Sequence, residues 1–184
     1  MPASGRAPQS IEALIARYRE VVPEGIVNDR WGADVWDYHT SEYDHGTANE
    51  TSVGWEHCRG LGFSFGYNRN EDESLTLSPR ELARLYADIV SRGGRLLLNV
   101  GPTAAGEIPP VQRRTLEGVA PWLTAIKPLT IGRRALGDGE VEVTDASWWR
   151  AWRTPEQAVV VTDQADATVR VGAGGDVVVV PLPE

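Results

Sequence analysis

The chain has 184 residues, enough for one domain or for a domain with a small appendage. Its hydrophobic fraction of 41% supports a buried core, and its net charge of −8 argues against nucleic acid as a partner, because nucleic-acid binders present clustered Lys and Arg to the phosphates. The single cysteine, Cys58, excludes an internal disulfide framework, and no apolar run approaches the roughly 20 residues that span a bilayer. Residues 1–9 lack the apolar segment of a signal peptide, so the default expectation is a cytoplasmic location, provided that Met1 is the true start.

The first periodic segment covers residues 10–22 and predicts a helix. Ser10 is its expected N-cap, Pro23 with Gly25 ends it, and one face carries apolar side chains at three- and four-residue spacings: Ile11, Leu14, Ile15, Tyr18 and Val22. Residues 25–28 predict a short buried strand that leads into the loop at residues 29–32. Residues 33–54 show no regular period, and long irregular loops in compact domains are usually functional or mobile.

The middle of the chain alternates strand and helix signals. We expect a strand over residues 61–65, which carries Phe63 and Phe65, and then a helix that begins with a capping box at Ser78, Pro79 and Glu81. Gly93 and Gly94 end that helix. The apolar run at residues 96–100 suits a strand covered on both faces, and a helix is predicted over 111–123, with Pro121 interrupting its last turn. This order favours parallel β/α units.

The pattern changes after Lys127 and Pro128. Short strand signals separated by Gly, Asp and Pro follow, at residues 141–144, 159–162, 168–171 and 177–180. They predict a small antiparallel β module, with residues 128–134 as the boundary.

One short loop combines the chemical groups of sugar-cleaving sites. The stretch Val27-Asn28-Asp29-Arg30-Trp31-Gly32 is followed ten residues after Trp31 by Ser41-Glu42-Tyr43. Aromatic faces bind the apolar side of a sugar ring, a guanidinium binds hydroxyls, and a carboxylic acid can protonate the leaving oxygen.

Two further blocks complete a resemblance that covers residues 10–125. They run from Trp55-Glu56 through Gly62-Phe63-Ser64-Phe65-Gly66-Tyr67-Asn68, and from Gly93-Gly94 through Leu96-Leu97-Leu98-Asn99-Val100-Gly101-Pro102. In combination, the blocks resemble the C-terminal half of the catalytic domain of a family 29 glycoside hydrolase, an α-L-fucosidase. The resemblance implies retaining hydrolysis of α-L-fucosides, a fucosylated glycan or fucoside as substrate, and no cofactor.

The resemblance also sets the expected fold class. A complete (β/α)8 barrel needs about 250 residues, and only three strand candidates precede the β module. We therefore expect an α/β chain: a partial (β/α)8 (TIM-type) barrel, its C-terminal half, at residues 1–127, followed by a small antiparallel β module at 128–184. The module is shorter than the family's usual C-terminal β-sandwich.

Three residues take site roles by the resemblance. Glu42 matches the catalytic acid/base, Arg30 matches an arginine of the fucose pocket, and Phe65 matches an aromatic residue that packs on the C5 methyl of fucose. Judged without the resemblance, Glu42 is a solvated loop glutamate, Arg30 a partner of nearby acids such as Asp29 or Asp34, and Phe65 a core residue. Trp31, Trp36 and Trp55 stack on sugar or fill the core, and core packing is the favoured role for each.

Two competing motifs have little support. Gly62-Phe63-Ser64-Phe65-Gly66 fits the nucleophile elbow of serine hydrolases, but loop-like residues follow Ser64 and the last histidine, His57, precedes it. His39, Glu42 and His45 lie within seven residues, but their spacing does not place two ligands on one helical face, so no metal site is expected. Cys58 is expected to be a small buried hydrophobe.

The sequence departs from the family at the nucleophile. No Trp-x-Asp segment precedes Ile26, and the pocket histidines of the first barrel half are also absent from this sequence. The expectation is therefore a chain that is inactive alone and is completed by an N-terminal half. The alternative is a non-catalytic remnant that binds sugar or has a structural role.

Overall fold

The computed structural model describes residues 10–43, 54–172 and 174–184. Over these ranges the helices are α1 (Ile11–Val21), α2 (Pro79–Ser91) and α3 (Pro110–Thr130), with short 3-10 turns at Asp29–Trp31 and Glu73–Leu75. The strands are β1 (His39–Glu42), β2 (Trp55–Gly60), β3 (Gly94–Asn99), β4 (Arg134–Leu136), β5 (Val141–Thr144), β6 (Trp149–Arg153), β7 (Gln157–Thr162), β8 (Thr168–Val171) and β9 (Asp176–Pro181). None of these helices is long and apolar enough to cross a membrane.

The first part of the chain forms a three-stranded parallel sheet. Its strands lie in chain order, β1-β2-β3, with Glu42 in register with Cys58 and Cys58 in register with Leu97. Successive side chains alternate between the two faces of a strand, so these three share one face and their neighbours share the other. The second face carries the buried Trp55 and His57.

Only that second face of the parallel sheet is covered by the described residues. Leu96 and Leu98 pack into a core formed with α2 and α3, whereas Leu97 between them is 50% exposed. Within the described residues, this strand is therefore covered on one face and not on both. The apolar run indicated a strand, but coverage depends on what lies opposite it.

Two predicted strands differ from the structure. Residues 61–65 form bends, and the strand lies just before them at β2, whose buried positions are Trp55, His57 and Gly60. Residues 25–28 form no regular strand and contribute a single parallel bridge between Asn28 and Tyr38. Strand β1 was missed because His-Thr-Ser-Glu has no apolar alternation.

The predicted helices are confirmed, with one change of length. The side chain of Ser10 caps α1, and α2 has the expected capping box between Ser78 and Glu81. Helix α3 continues to Thr130 through Pro121 and Pro128, seven residues past its predicted end. Burial of Val119 and Ile126 stabilises those turns despite the hydrogen bonds that the prolines remove.

The β module is mixed and not purely antiparallel. Strands β4, β6, β7 and β9 form one sheet, in which β7 pairs with β9 in parallel, and β5 pairs with β8 in a separate antiparallel pair. Strands β4 and β6 were not predicted, since Trp-Arg-Ala-Trp-Arg lacks the alternation that marks a strand.

One hydrophobic core joins α2 and α3 to the β module. The side chains of Trp152, Val159 and Val161 are fully buried and pack with Leu82 of α2 and Val119 of α3. Asp88 of α2 also accepts hydrogen bonds from Arg92 and from Arg150 of β6.

Candidate functional site

The loop before β1 is built around an Asx-capped 3-10 turn. The side chain of Asn28 accepts a hydrogen bond from the Arg30 backbone N–H at 3.3 Å, and Gly32, with φ of 68°, ends the turn in the left-handed region. Asp29 accepts from Nδ1 of His39 at 2.8 Å and from the Thr40 backbone N–H at 3.0 Å. The loop is thereby fastened to the start of β1.

Asp37 fixes the other end of this loop. Its carboxylate accepts from the Val27 backbone N–H at 2.8 Å and from the Arg19 guanidinium of α1 at 2.8 and 2.9 Å. The Val27 N–H and the Arg19 side chain lower the pKa of Asp37 below its usual range. Asp37 therefore joins the two ends of the loop at residues 27–37 to each other and fastens the loop to α1.

The structure brings Glu42 and Arg30 together. Oε1 of Glu42, at the end of β1, lies 2.7 Å from Nη1 of Arg30, and the two side chains are 41% and 44% exposed. Asp29, the alternative partner considered for Arg30, pairs with His39 instead. A carboxyl group and a guanidinium thus sit in contact at the carboxyl edge of the parallel sheet, open to solvent.

Phe65 lies beside Glu42's neighbour, Tyr43. The Tyr43 and Phe65 rings meet edge to face, with centroids 5.4 Å apart, and Tyr43 also stacks on Phe63 at 6.4 Å. Phe65 is 41% exposed and Phe63 is 67% exposed. Phe65 is therefore a surface aromatic residue of the site region, where a core role was the alternative.

The loop that carries Phe65 is held from two sides. The Asn99 side-chain amide, at the end of β3, donates to the Phe65 carbonyl, and the Ser64 backbone N–H donates to Glu71 at 2.7 Å. A Cβ at Gly101 would lie 2.6 Å from the Gly66 carbonyl oxygen, so only glycine allows these two loops to approach so closely.

Cys58 lies beside Glu42 on the uncovered face of the parallel sheet. Cys58 is half-buried there, and burial raises the pKa of its thiol, with the charges of Glu42 and Glu56 adding to the effect.

The described residues contain no cluster of ligands that could hold a metal. Of the three residues compared with a metal site, His39, Glu42 and His45, the last lies outside the described residues. No helix directly follows Ser64, which agrees with the rejection of a serine hydrolase.

The aromatic residues near the site separate into different roles. Trp55 is 4% exposed and packs with Leu85 and Ile89 in the core, as expected. Trp36 lies against the His39 ring at 4.2 Å, whereas Trp31 is 49% exposed. Only Trp55 of the three is a buried core residue.

Ser41 and Tyr43, which flank Glu42 in the chain, have no role predicted from the sequence. Ser41 shares a hydrogen bond of 2.9 Å with Nδ1 of the fully buried His57. Tyr43 takes a positive φ of 51° and contacts the loop of Phe65. A tyrosine after the matched glutamate was visible in the sequence, but no spacing rule predicts its backbone conformation.

Comparison with known proteins identifies the family. A family model described as alpha-L-fucosidase matches residues 3–127, more than half of the chain. The chain belongs to the α-L-fucosidase family. The human tissue α-L-fucosidase is 29% identical to it over 152 residues, which are 80% of this chain and 30% of that protein.

Solved α-L-fucosidases share its structure. The α-fucosidase of Thermotoga maritima in complex with fucose is 39% identical, with a TM-score of 0.66 over 77% of this chain and 32% of that chain. The isoenzyme 1 of Paenibacillus thiaminolyticus is 26% identical, with a TM-score of 0.67 over 80% of this chain and 37% of that chain. The present chain thus spans 30% to 37% of the length of these three fucosidases.

Proposed function

We propose that this chain supplies the acid/base catalyst and part of the fucose pocket of a retaining α-L-fucosidase. Glu42 is the acid/base, Arg30 binds sugar hydroxyls, and Phe65 lines the pocket of the C5 methyl. The substrate is a fucosylated glycan or a simple fucoside. A complementing N-terminal half, on the same or a separate polypeptide, supplies the nucleophile and completes the barrel.

The contact between Glu42 and Arg30 carries this proposal. The family pattern assigns these two residues to one pocket, and their side chains meet at 2.7 Å although twelve positions separate them in the chain. Both are more than 40% exposed, so a sugar could reach them. A fucosidase that is 39% identical to this chain binds fucose in its solved structure.

The chemistry requires a second carboxyl group. In retaining hydrolysis, two carboxyl groups about 5 to 5.5 Å apart act as nucleophile and as acid/base. Glu42 would protonate the glycosidic oxygen as the nucleophile attacks C1, and would then deprotonate the water that hydrolyses the fucosyl-enzyme. Arg30 has five N–H donors, so it can orient Glu42 with one and still donate others to sugar hydroxyls.

The half-open sheet supports the partial (β/α)8 barrel. In such barrels, parallel strands place helices outside and pack their inner face against the remaining strands, and the site lies at the carboxyl ends. Here α2 and α3 cover one face, Glu42 ends β1, and Phe65 follows β2 by five residues. Within the described residues, the opposite face has no covering element.

The division of the chain at residues 127 and 128 belongs to this proposal. Residues 1–127 would form the barrel part, with all three assigned site residues, and 128–184 the small β module. The module would act on catalysis only indirectly, because it supports α2 and α3 from behind through Trp152, Val159 and Val161.

The isolated chain is expected to be inactive, and the test is hydrolysis of 4-nitrophenyl α-L-fucoside. We expect nitrophenol release only after the purified chain is mixed with the N-terminal half of a family member that carries the Trp-x-Asp nucleophile. Activity of the chain alone would overturn the proposed mechanism. If neither the chain alone nor the mixture releases nitrophenol, although the protein is folded, the result would favour the non-catalytic remnant.

The role of Glu42 has its own test in that mixture. Glu42→Gln should lower kcat by at least about 100-fold, the lower range for general acid–base catalysis. Azide needs no general base, so it should restore turnover and yield fucosyl azide. Glu117→Gln, the same change at an exposed position of α3, is the matched control. Near-normal hydrolysis by Glu42→Gln would refute the assignment.

A further inference from the structure

We infer that Tyr43 is a positioning residue that sets the selectivity of the site for a sugar with a methyl at C5. It would do so by holding Phe65, the proposed wall of the methyl pocket, at a fixed place relative to Glu42. This inference rests on the proposed function. It assigns to Tyr43 no contact with the reacting atoms.

The backbone turns sharply at Tyr43, directly after Glu42. Strand β1 ends at Glu42, and the φ of Tyr43 is 51°, in the region that non-glycine residues rarely adopt. Such a conformation persists only where surrounding contacts maintain it. The side chain of Tyr43 makes those contacts on the neighbouring loop, across the carboxyl edge of β2.

The hydroxyl of Tyr43 binds the main chain of that loop. It donates to the Phe63 carbonyl at 2.9 Å, with the Gly62 carbonyl farther away at 3.4 Å, and the Gly60 backbone N–H points to it at 3.4 Å. A Cβ at Gly60 would lie 2.8 Å from the Ser64 carbonyl and 3.3 Å from this hydroxyl. The phenol therefore sits in a close-fitting turn.

The ring of Tyr43 is enclosed as well. Phe65 meets its edge at 5.4 Å, Phe63 stacks on it at 6.4 Å, and the Arg59 guanidinium lies 5.3 Å from its centroid. Such aromatic and cation–π contacts have preferred geometries, so they orient the rings as well as attract them.

The Phe65 loop needs this support because its own apolar side chains are exposed. Phe63 is 67% exposed and Phe65 is 41% exposed, so burial alone does not fix them. Besides Tyr43, side chains that hydrogen-bond this loop include Asn99, which donates to the Phe65 carbonyl, and Glu71 and Asn68, which bind Ser64. Tyr43 alone among these four residues adjoins Glu42 in the chain.

Recognition of one methyl group is sensitive to small displacements. A radial gap of about 0.5–1 Å already removes roughly a quarter to a half of the dispersion attraction between two groups. Loss of the Tyr43 hydroxyl frees the loop, and the expected consequence is a Phe65 wall that no longer fits the methyl closely. Hydrolysis of a substrate without that methyl should change much less.

The test is a ratio of two substrates, measured with the complemented assembly. The first is 4-nitrophenyl α-L-fucoside, and the second is 4-nitrophenyl β-D-arabinopyranoside, which has the same ring without the C5 methyl. In the wild-type assembly the ratio of their kcat/KM values should lie at about 10-fold or more, because a methyl in an apolar pocket is worth about 10–200-fold. The ratio does not depend on the fraction of folded enzyme.

Tyr43→Phe should lower this ratio at least threefold, mainly through the kcat/KM of the fucoside, and Phe65→Ala should lower it further. Tyr67→Phe is the matched control: Tyr67 is 52% exposed, and among the described residues its hydroxyl has no hydrogen bond. An unchanged ratio in Tyr43→Phe, with an active wild-type assembly, would overturn this inference alone. An inactive wild-type assembly would overturn the proposed function and this inference together.

Discussion

Asp29 illustrates how a charged residue beside a proposed catalytic pair can have a purely structural role. Burial raises the pKa of Asp29, but the hydrogen bonds from His39 and from the Thr40 backbone N–H outweigh that effect, and the net pKa lies below the usual value. A lowered pKa in the folded state means that the ionised carboxylate stabilises the fold. That contribution is complete above the unfolded pKa of about 3.9 and is lost as the pH falls through the folded value.

Asp29→Asn tests this role. The free energy of unfolding of the variant should be lower than that of the wild type above about pH 5. The difference should shrink as the pH falls below about 4, because protonation then removes the same interaction from the wild type. Urea unfolding at several pH values measures it. Asp34→Asn, an exposed position of the same loop, should change stability by less than about 0.5 kcal/mol at every pH.

The sequence could name candidate residues for the site but not their conformation. Glu42, Arg30 and Phe65 were assigned from motif blocks, and the structure places Arg30 against Glu42 and Phe65 against Tyr43. The backbone of Tyr43 could not be predicted, because its positive φ depends on contacts with residues 60–65, some twenty positions away. Short motifs describe chemistry and leave such nonlocal contacts open.

At the scale of the element, α2 begins with the best-defined local signal in the chain. Ser78 accepts from the Glu81 backbone N–H, and Glu81 accepts from the Ser78 backbone N–H in return at 2.8 Å. Pro79 occupies the first helical position, where its missing N–H has no cost. Sequence and structure agree here because every interaction lies within three residues.

Ser78→Ala should lower the free energy of unfolding by about 1 kcal/mol, the usual value for loss of an N-cap. Guanidinium unfolding followed by circular dichroism measures the change. Ser91→Ala at the other end of α2 removes only a hydroxyl bond to the Asp88 carbonyl and should have a smaller effect. Equal losses of unfolding free energy in the two variants would show that the capping box stabilises α2 no more than an ordinary side-chain hydrogen bond does.

The strands were predicted less well than the helices, for a physical reason. β1 and β2 are short and polar, and their stability comes from pairing with each other and with β3. His57 takes a buried position in β2 that a hydrophobic pattern would assign to an aliphatic residue, and it is accommodated by Ser41 on β1. Pairing partners so distant in the chain leave no periodic trace in either segment.

At the scale of the molecule, α1 is the least integrated helix. Of its residues only Ile15 is buried, while Leu14 and Tyr18 are 40% and 38% exposed. Together with Ile26 and Trp31 they line an apolar groove of about 380 Å³. The proposed function gives this groove an occupant, the N-terminal half that would complete the barrel.

Leu14→Glu should therefore weaken complementation. Complete burial of an exposed leucine side chain is worth about 1.5–3 kcal/mol, and Leu14 is 40% exposed, so about two-fifths of that free energy remains to be gained on binding. Its loss alone should raise the concentration of N-terminal half needed for half-maximal activity about 3- to 8-fold, and the buried charge of the glutamate should add to this. The stability of the chain alone should hardly change, since Leu14 is already exposed. Ala16→Glu, an exposed position two residues along α1, should leave complementation unaffected. Equal effects of the two variants would exclude the groove as the contact surface.

Cys58 gives this chain a built-in place for a chemical label. It is the single thiol of the sequence, and it lies on the open face of the sheet in register with Glu42. Because burial and two neighbouring carboxylates raise its pKa, the thiol stays protonated near neutral pH and alkylates only slowly until the solution is made alkaline. One fluorinated or mass tag could thus be attached beside the proposed acid without any mutation. The tag would then report directly on whether another protein surface covers that face.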